Sequence, residues 1–271
     1  LFYNLLFYNI AMNKYIVFKI VIVILLTILV YNESKIKSKF DSLCAYLFPT
    51  PMTELDRQLL KKGQERMTNI LRHFDQICRK YDLKYWLNGG TLIGAIRHKG
   101  WIPLDGDIDL CMTDVDFKVF EDVAEMELPT DMWLQTGNTD EHYKKYRGSE
   151  YLNKIRDLEY SYIDSPPLVH NGVQVDIFVF EKRGDSLLIV DKGDDIFPMK
   201  MNDVFPLKEL EFEGIPVYVQ NNYIDYMNEI WGGCPPKELA KRIEYPMPHE
   251  GRIGKTPDVI KQKYCHLYNL C

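Results

Sequence analysis

The chain has 271 residues, a formal net charge of −6, 46% hydrophobic residues and 13% aromatics. That apolar content supplies a real core and excludes wholesale disorder. The mildly acidic balance argues against a nucleic-acid-binding surface, which normally shows a basic patch, and the length fits one catalytic-sized domain with appendages or two small domains.

The first forty residues stand apart. Met12 is the earliest methionine, so residues 1–11 read as upstream translated sequence within an N-terminal flank of 1–14. The stretch YIVFKIVIVILLTILVY, Tyr15 to Tyr31, is apolar except for Lys19 and Thr27. At helical rise it covers about 25 Å, near the lower limit for a membrane span. No small-x-small cleavage pattern follows Val30, so the expectation is an uncleaved signal anchor over 15–31. Lys35, Lys37 and Lys39 follow the span, which by the positive-inside rule read literally leaves the domain in the cytoplasm. Residues 32–52, polar and carrying Pro49 and Pro51, read as a stem. The main domain is expected over 53–250 and a basic, weakly patterned tail over 251–271.

Thr53 with Asp56 forms a helix-start signature, and the helix after it places Met67, Ile70, Leu71, Phe74, Ile77, Cys78 and Tyr81 on one face. LKYWL is a short strand ending at NGG, TLIGAIRHKG a helical segment from Thr91, and DIDLCM a strand. DVDFKVFEDVAEME is a helix; MWLQT, LNKIRD and YSYID are strands. GVQVDIFVF, Gly172 to Phe180, is a nearly continuous apolar strand broken by Asp176. ELEFEGIPVYVQ is a hairpin turning at Glu213-Gly214, and NNYIDYMNEIWGG a helix capped by Asn221 or Asn222 and closed by Gly232. Interleaved helices and strands predict an α/β (α+β) class. None of the six cysteines forms a C-x-x-C pair. Cys78 and Cys111 sit on apolar faces as core residues, while Cys44, Cys234, Cys265 and Cys271 are candidates for disulfides whose pairing the sequence does not give.

The chemistry concentrates in WIPLDGDIDLCM, where Asp105, Asp107 and Asp109 recur at every second position. On a strand they share one side, with Ile108, Leu110 and Met112 on the other. Carboxylates this close need a shared proton or a cation. Hard oxygen ligands suit Mg²⁺ or Mn²⁺, with substrate phosphate completing the shell. A solvated acidic loop and the Asp-x-Asp of a sugar transferase are the competing readings. An EF-hand is excluded, because Leu110 stands where glycine is required and Asp116 where glutamate is. Upstream, Gly89 and Gly90 separate a strand from a helix, where bare backbone and a helix N-terminus can meet a phosphate. Asp176 joins the same cation site if its strand lies beside the acidic one; otherwise it pairs with Lys154 or Arg156.

YWLNGGTLIGAIRHKGWIPLDGDIDLCM, followed in order by NKIRD, VQVDIFVFEK and DVFPLKELEFEGIPVYVQNNYIDYMNEIWG, resembles the LicD family, whose relatives include fukutin and fukutin-related protein. The resemblance runs from about Tyr85 to Gly232 and implies a nucleotidyltransferase-like mixed sheet flanked by helices. It implies transfer of a phospho-alcohol, such as phosphocholine or ribitol phosphate, from a CDP-activated donor to a glycan hydroxyl. It also implies a type II single-pass membrane protein with its domain in the Golgi or ER lumen. Carried over by position, Asp107, Asp109 and Asp176 are the metal-binding carboxylates and Asp105 an additional acid, with Asp105 or Asp176 as general base. Gly89, Gly90 and Thr91 correspond to the donor-phosphate loop, and Arg97, Lys154 and Arg156 to phosphate contacts. Where the family often has Trp followed by two acids, this chain reads Leu104-Asp105-Gly106. Another metal-dependent nucleotidyl- or glycosyltransferase, and a non-catalytic glycan-binding relative, are the alternatives.

Overall fold

The fold is taken from a computed structural model, which describes residues 53–142, 153–162, 170–190, 198–230 and 253–271. The predicted anchor and stem, together with Cys44, Gly232 and Cys234, lie outside the described residues. Among the described residues no helix is long and apolar enough to cross a membrane.

Helix α1 (Glu54–Lys80) starts at the predicted capping box. The Thr53 hydroxyl accepts from the Asp56 N–H at 3.1 Å, and the Asp56 carboxylate accepts from the Thr53 N–H at 3.0 Å. Its predicted stripe is the core face: Met67, Ile70, Leu71, Phe74, Ile77 and Cys78 are buried, and Tyr81 packs at the edge. Each large apolar side chain taken from water contributes about 1.5–3 kcal/mol, so this face alone anchors the helix.

The sheet runs β1 (Tyr85–Leu87), β2 (Asp109–Thr113), β5 (Gly172–Arg183), β4 (Lys154–Tyr162), β10 (Ile253–Lys255). Strand β3 (Met132–Gln135) also pairs with β4, and β6 (Ser186–Ile189) extends from β5 to β7 (Met199–Lys200). The pairing of β2 with β5 is parallel and the others are antiparallel, so the sheet is mixed. Helix α2 (Gly89–His98) leads from β1 toward β2, and α3 (Asp114–Glu127) follows β2. After α4 (Met201–Val204), the predicted hairpin is β8 (Lys208–Phe212) and β9 (Ile215–Val219). Glu213 and Gly214 both take positive φ, 49° and 73°, the geometry of a tight two-residue turn. Helix α5 (Tyr223–Ile230) follows.

Three local readings change. LNKIRD and YSYID are not two strands but one, β4, with a register irregularity against β5 between Arg156 and Ser161. Helix α2 begins at Gly89 rather than Thr91. The acidic strand begins only at Asp109, where pairing with β5 begins; Asp105 and Asp107 lie in the irregular segment before it.

Residues 253–271, past the predicted domain limit, add β10, helix α6 (Asp258–Lys263) and a 3₁₀ turn (Cys265–Tyr268). Cys265 pairs with Cys271, and Cys78 and Cys111 are free and buried. Tyr264 and Tyr268 reach a buried polar cluster: Tyr264 donates to Asp140 at 3.2 Å, and Tyr268 meets the His170 Nε2 at 2.8 Å.

Candidate active site

The site begins where β2 and β5 start to pair. Asp109, the first residue of β2, stands opposite Asp176 in the parallel register, and the Asp176 N–H donates to the Ile108 carbonyl at 2.8 Å. Helix α2 is fastened to the same point. The Thr91 hydroxyl accepts from the Asp109 N–H at 2.9 Å, and the Asn88 N–H donates to the Asp109 carbonyl at 3.1 Å. Thr91 therefore holds the backbone of an acidic residue in place.

The glycine pair is fixed by these acids. A Cβ on Gly89 would lie 2.7 Å from Asp109 Oδ2, and one on Gly90 would lie 2.8 Å from Asp105 Oδ2. Gly89 also has φ of 53°, a left-handed conformation that favours glycine. Only bare backbone lets the start of α2 approach both carboxylates this closely. The first N–H groups of a helix lack partners within it and carry the positive end of its dipole, so this junction suits negative charge.

Period-two alternation does not bring Asp105 here. A turn through Leu104 (φ 69°) precedes it, and its Oδ1 accepts from the Gly106 N–H at 3.0 Å. The Gln64 side chain of α1 donates to the Asp105 carbonyl at 2.9 Å. Asp105 is buried, whereas Asp107, Asp109 and Asp176 are half-buried.

Burial pushes the Asp109 carboxyl well above the usual carboxylate range, the Asp107 and Asp176 charges add to this, and Lys154 opposes it. The hard oxygen donors gathered here fit Mg²⁺ or Mn²⁺ in chemistry. Among the described residues, however, no group of three or more His, Cys, Asp or Glu side chains is arranged to hold an ion. Asp176 is ion-paired with Lys154 Nζ, one of the two cations, Lys154 and Arg156, that the sequence offers it.

The predicted phosphate contacts separate. Lys154 is at the acidic cluster through Asp176. Arg156 is buried, with its guanidinium donating to Gln135 Oε1 at 2.7 Å, to the Gly172 carbonyl at 2.8 Å and to Gln174. Arg97 lies in the last turn of α2, about 12 Å along the helix from Gly89. Two residues come into view only in three dimensions. Asn88 is the N-cap position of α2, yet its side chain makes no cap bond; its Oδ1 accepts from the Tyr226 hydroxyl at 2.8 Å. Asn88 sits visibly beside the glycine pair in NGG, but nothing local marks Tyr226, 138 residues away.

A model of the family described as LicD/FKTN/FKRP, nucleotidyltransferase domain, matches residues 82–222. The chain belongs to the LicD family. The matched span holds the glycine pair, Asp105, Asp107, Asp109, Lys154 and Asp176. The chain is 42% identical over 93 residues to the lipopolysaccharide cholinephosphotransferase LicD of Haemophilus influenzae, covering 34% of this chain and 31% of that protein. An uncharacterized protein of Rickettsia typhi is 28% identical over 59% of this chain and 44% of its own length. One of Rickettsia prowazekii is 24% identical over 59% of this chain and 51% of its own length. The chain thus spans between about a third and a half of the curated relatives it matches. A crystal structure of ANT(2")-Ia with adenylyl-2"-tobramycin aligns over 76% of this chain and 87% of that one, at 14% identity and a TM-score of 0.36, too loose to carry an argument.

Proposed function

We propose that this LicD-family chain transfers a phospho-alcohol, phosphocholine foremost, from a CDP-activated donor to a hydroxyl of a glycan or glycoconjugate, with Mg²⁺ or Mn²⁺. The carrying observation is the meeting of the Gly89-Gly90 helix start with the carboxylates of Asp105 and Asp109. The likeness to a relative named as a lipopolysaccharide cholinephosphotransferase supports phosphocholine as the group carried.

Asp107, Asp109 and Asp176 would hold the ion, which when bound supplies charge neutralisation at the donor diphosphate. Gly89 and Gly90 let the diphosphate approach the backbone, where helix N–H groups receive its charge. Lys154, already on Asp176, adds a fixed positive charge at the cluster. In the transfer, the acceptor hydroxyl forms the new O–P bond while the P–O bond to CMP breaks, and CMP leaves with the electron pair. Asp105, whose carboxylate lies beside Gly90 and whose loop is held by Gln64, takes the hydroxyl proton. Asp176 is committed to Lys154 and serves the ion rather than the proton.

The test is incubation of the full chain with Mg²⁺ or Mn²⁺, CDP-choline and a lipopolysaccharide acceptor, reading CMP release and phosphocholine on the acceptor. Both should appear and vanish in Asp107→Asn and Asp109→Asn. Turnover confined to nucleotide sugars, or metal-independent glycan binding without turnover, overturns the proposal.

A further inference from the structure

A cavity of about 530 Å³ opens between the first turns of α1 and the loop that leads to the acidic cluster. Arg57, Lys61, Gln64 and Glu65 of α1 line one side, and Trp101 and Leu104 the other. Its volume lies within the range of about 300–1,000 Å³ usual for small-molecule sites.

Trp101 is held from three directions. Its indole N–H donates to the Thr68 hydroxyl at 2.9 Å, its main-chain N–H donates to the Glu213 carboxylate at 3.1 Å, and its ring meets Phe212 edge-on with centroids 5.5 Å apart. The turn of the β8–β9 hairpin secures the same loop, since the Glu213 N–H donates to the Lys99 carbonyl at 2.8 Å. Yet Trp101 is only half-buried. The one polar atom of its side chain is spent on Thr68, so the indole presents apolar ring surface to the cavity. A flat aromatic surface already immobilised loses little further entropy when a ligand settles on it.

The rim decides what can rest there. Arg57 and Lys61 are matched by Glu65 and Glu213, so the exposed side chains around the cavity carry both signs. A phosphate or a quaternary ammonium is attracted by one half of this rim and repelled by the other. A neutral ring bearing hydroxyls, each both donor and acceptor, finds partners on both halves.

We infer that this cavity seats a neutral sugar ring of the acceptor glycan, with its C–H face on Trp101 and its hydroxyls on Gln64, Glu65 and the two cations. The inference rests on the acceptor being a glycan, as proposed above, and adds where it binds. The C–H bonds on one face of a sugar ring suit the electron-rich face of an indole. Position agrees with chemistry: Leu104 lines the cavity, and the next residue is Asp105, whose carboxylate lies beside Gly90. Neighbouring Cα atoms are about 3.8 Å apart, so a hydroxyl of a ring seated here has a short path to the acid proposed to take its proton. Gln64 joins the two places, because its Nε2 donates to the Asp105 carbonyl while its Oε1 serves as an acceptor on the cavity wall.

Transfer kinetics of the full chain with CDP-choline and a lipid-free lipopolysaccharide core oligosaccharide, each varied in turn, test this, alongside calorimetric titration with the oligosaccharide alone. Trp101→Ala should raise the oligosaccharide KM and Kd at least about tenfold while the KM for CDP-choline moves by less than about twofold. Trp101→Phe, which keeps an aromatic surface, should restore most of the affinity. Glu65→Ala, on the exposed rim where folding is not at issue, should weaken oligosaccharide binding at least about twofold, so the question stays answerable if Trp101→Ala folds poorly. If Trp101→Ala shifts both substrates equally, Trp101 serves the fold only and the inference falls. It falls too if inorganic phosphate displaces the oligosaccharide from the wild type, since the cavity then receives an anion. Oligosaccharide binding that depends on Trp101, without transfer, overturns the transferase reading and leaves the cavity's role standing. Transfer with an oligosaccharide KM indifferent to Trp101→Ala does the reverse, and absence of both binding and transfer overturns both.

Discussion

Asp109 and Asp176 are direct neighbours across the parallel pairing of β2 with β5, and Lys154 from the antiparallel strand on the other side of β5 is paired with Asp176. Three strands thus deliver two acids and one base to one end of the sheet. Burial, with the Asp107 and Asp176 charges beside it, holds the Asp109 carboxyl well above the usual carboxylate range.

Asp109→Asn should therefore stabilise the protein without metal, by about 1 kcal/mol, while cutting transfer at least about a hundredfold. Mn²⁺ should raise the unfolding temperature of the wild type, because a ligand that binds only the folded state stabilises it by mass action. The variant should lose that shift. Scanning fluorimetry with and without the ion reads both effects; an equal shift in the variant removes Asp109 from the metal site.

The glycine pair gives a steric prediction. Gly89→Ala adds a Cβ 2.7 Å from Asp109 Oδ2 on a residue at φ 53°. A left-handed alanine alone costs about 1–2 kcal/mol, so urea unfolding should register a loss of at least that size, accompanied by weaker nucleotide binding. Gly90→Ala, free of the backbone strain, should lose binding with a smaller stability change.

Lys154 is 5% exposed, and removing it leaves the Asp176 charge without its partner. Lys154→Met should cost about 3–5 kcal/mol, whereas Lys154→Met combined with Asp176→Leu should recover most of it. Denaturant unfolding of the single and double variants measures the coupling; additive losses would show that the pair contributes nothing.

His170 sets an acid limit. The Gly172 N–H donates to Nδ1 at 3.2 Å, so Nδ1 carries no proton, and Nε2–H donates to Tyr268, whose hydroxyl donates to the Leu158 carbonyl at 2.9 Å. The ring is fully buried; burial first, and then the Arg156 charge, lower its pKa to about 3. The unfolded chain takes up this proton below about 6.5 and the folded chain does not, so stability falls as pH drops from about 6.5 toward 3. Between pH 7 and 5 the loss from this group is about 2 kcal/mol. His170→Gln should flatten that part of the stability–pH curve, as read by urea unfolding at a series of pH values.

Local signals carried a good part of the fold. Thr53-Asp56 marks the start of α1, the apolar stripe from Met67 to Cys78 marks its buried face, and Glu213-Gly214 marks the hairpin turn. Each depends on residues within a few positions of one another. The β4 reading failed because a break in apolar alternation looks the same whether a strand ends or shifts register against its neighbour. Residues 253–271 were unreadable for the opposite reason: β10 is only three residues long and is held by pairing with Tyr160–Tyr162, nearly a hundred positions earlier.

The sequence by itself determined that acids cluster after a glycine pair, that Asp176 interrupts an apolar strand, and that these blocks follow one another in the order of the LicD family. Residue type and short-range spacing are sufficient for such statements, because they concern what a segment can bond and which face it turns. Only the tertiary structure decided that Asp176 stands beside Asp109 and is paired with Lys154, that Arg156 is enclosed by Gln135 and Gln174, and that Tyr226 closes on Asn88. Those relationships follow from strand order and register, which are set by how the whole core packs, and packing joins residues whose separation along the chain leaves no local trace.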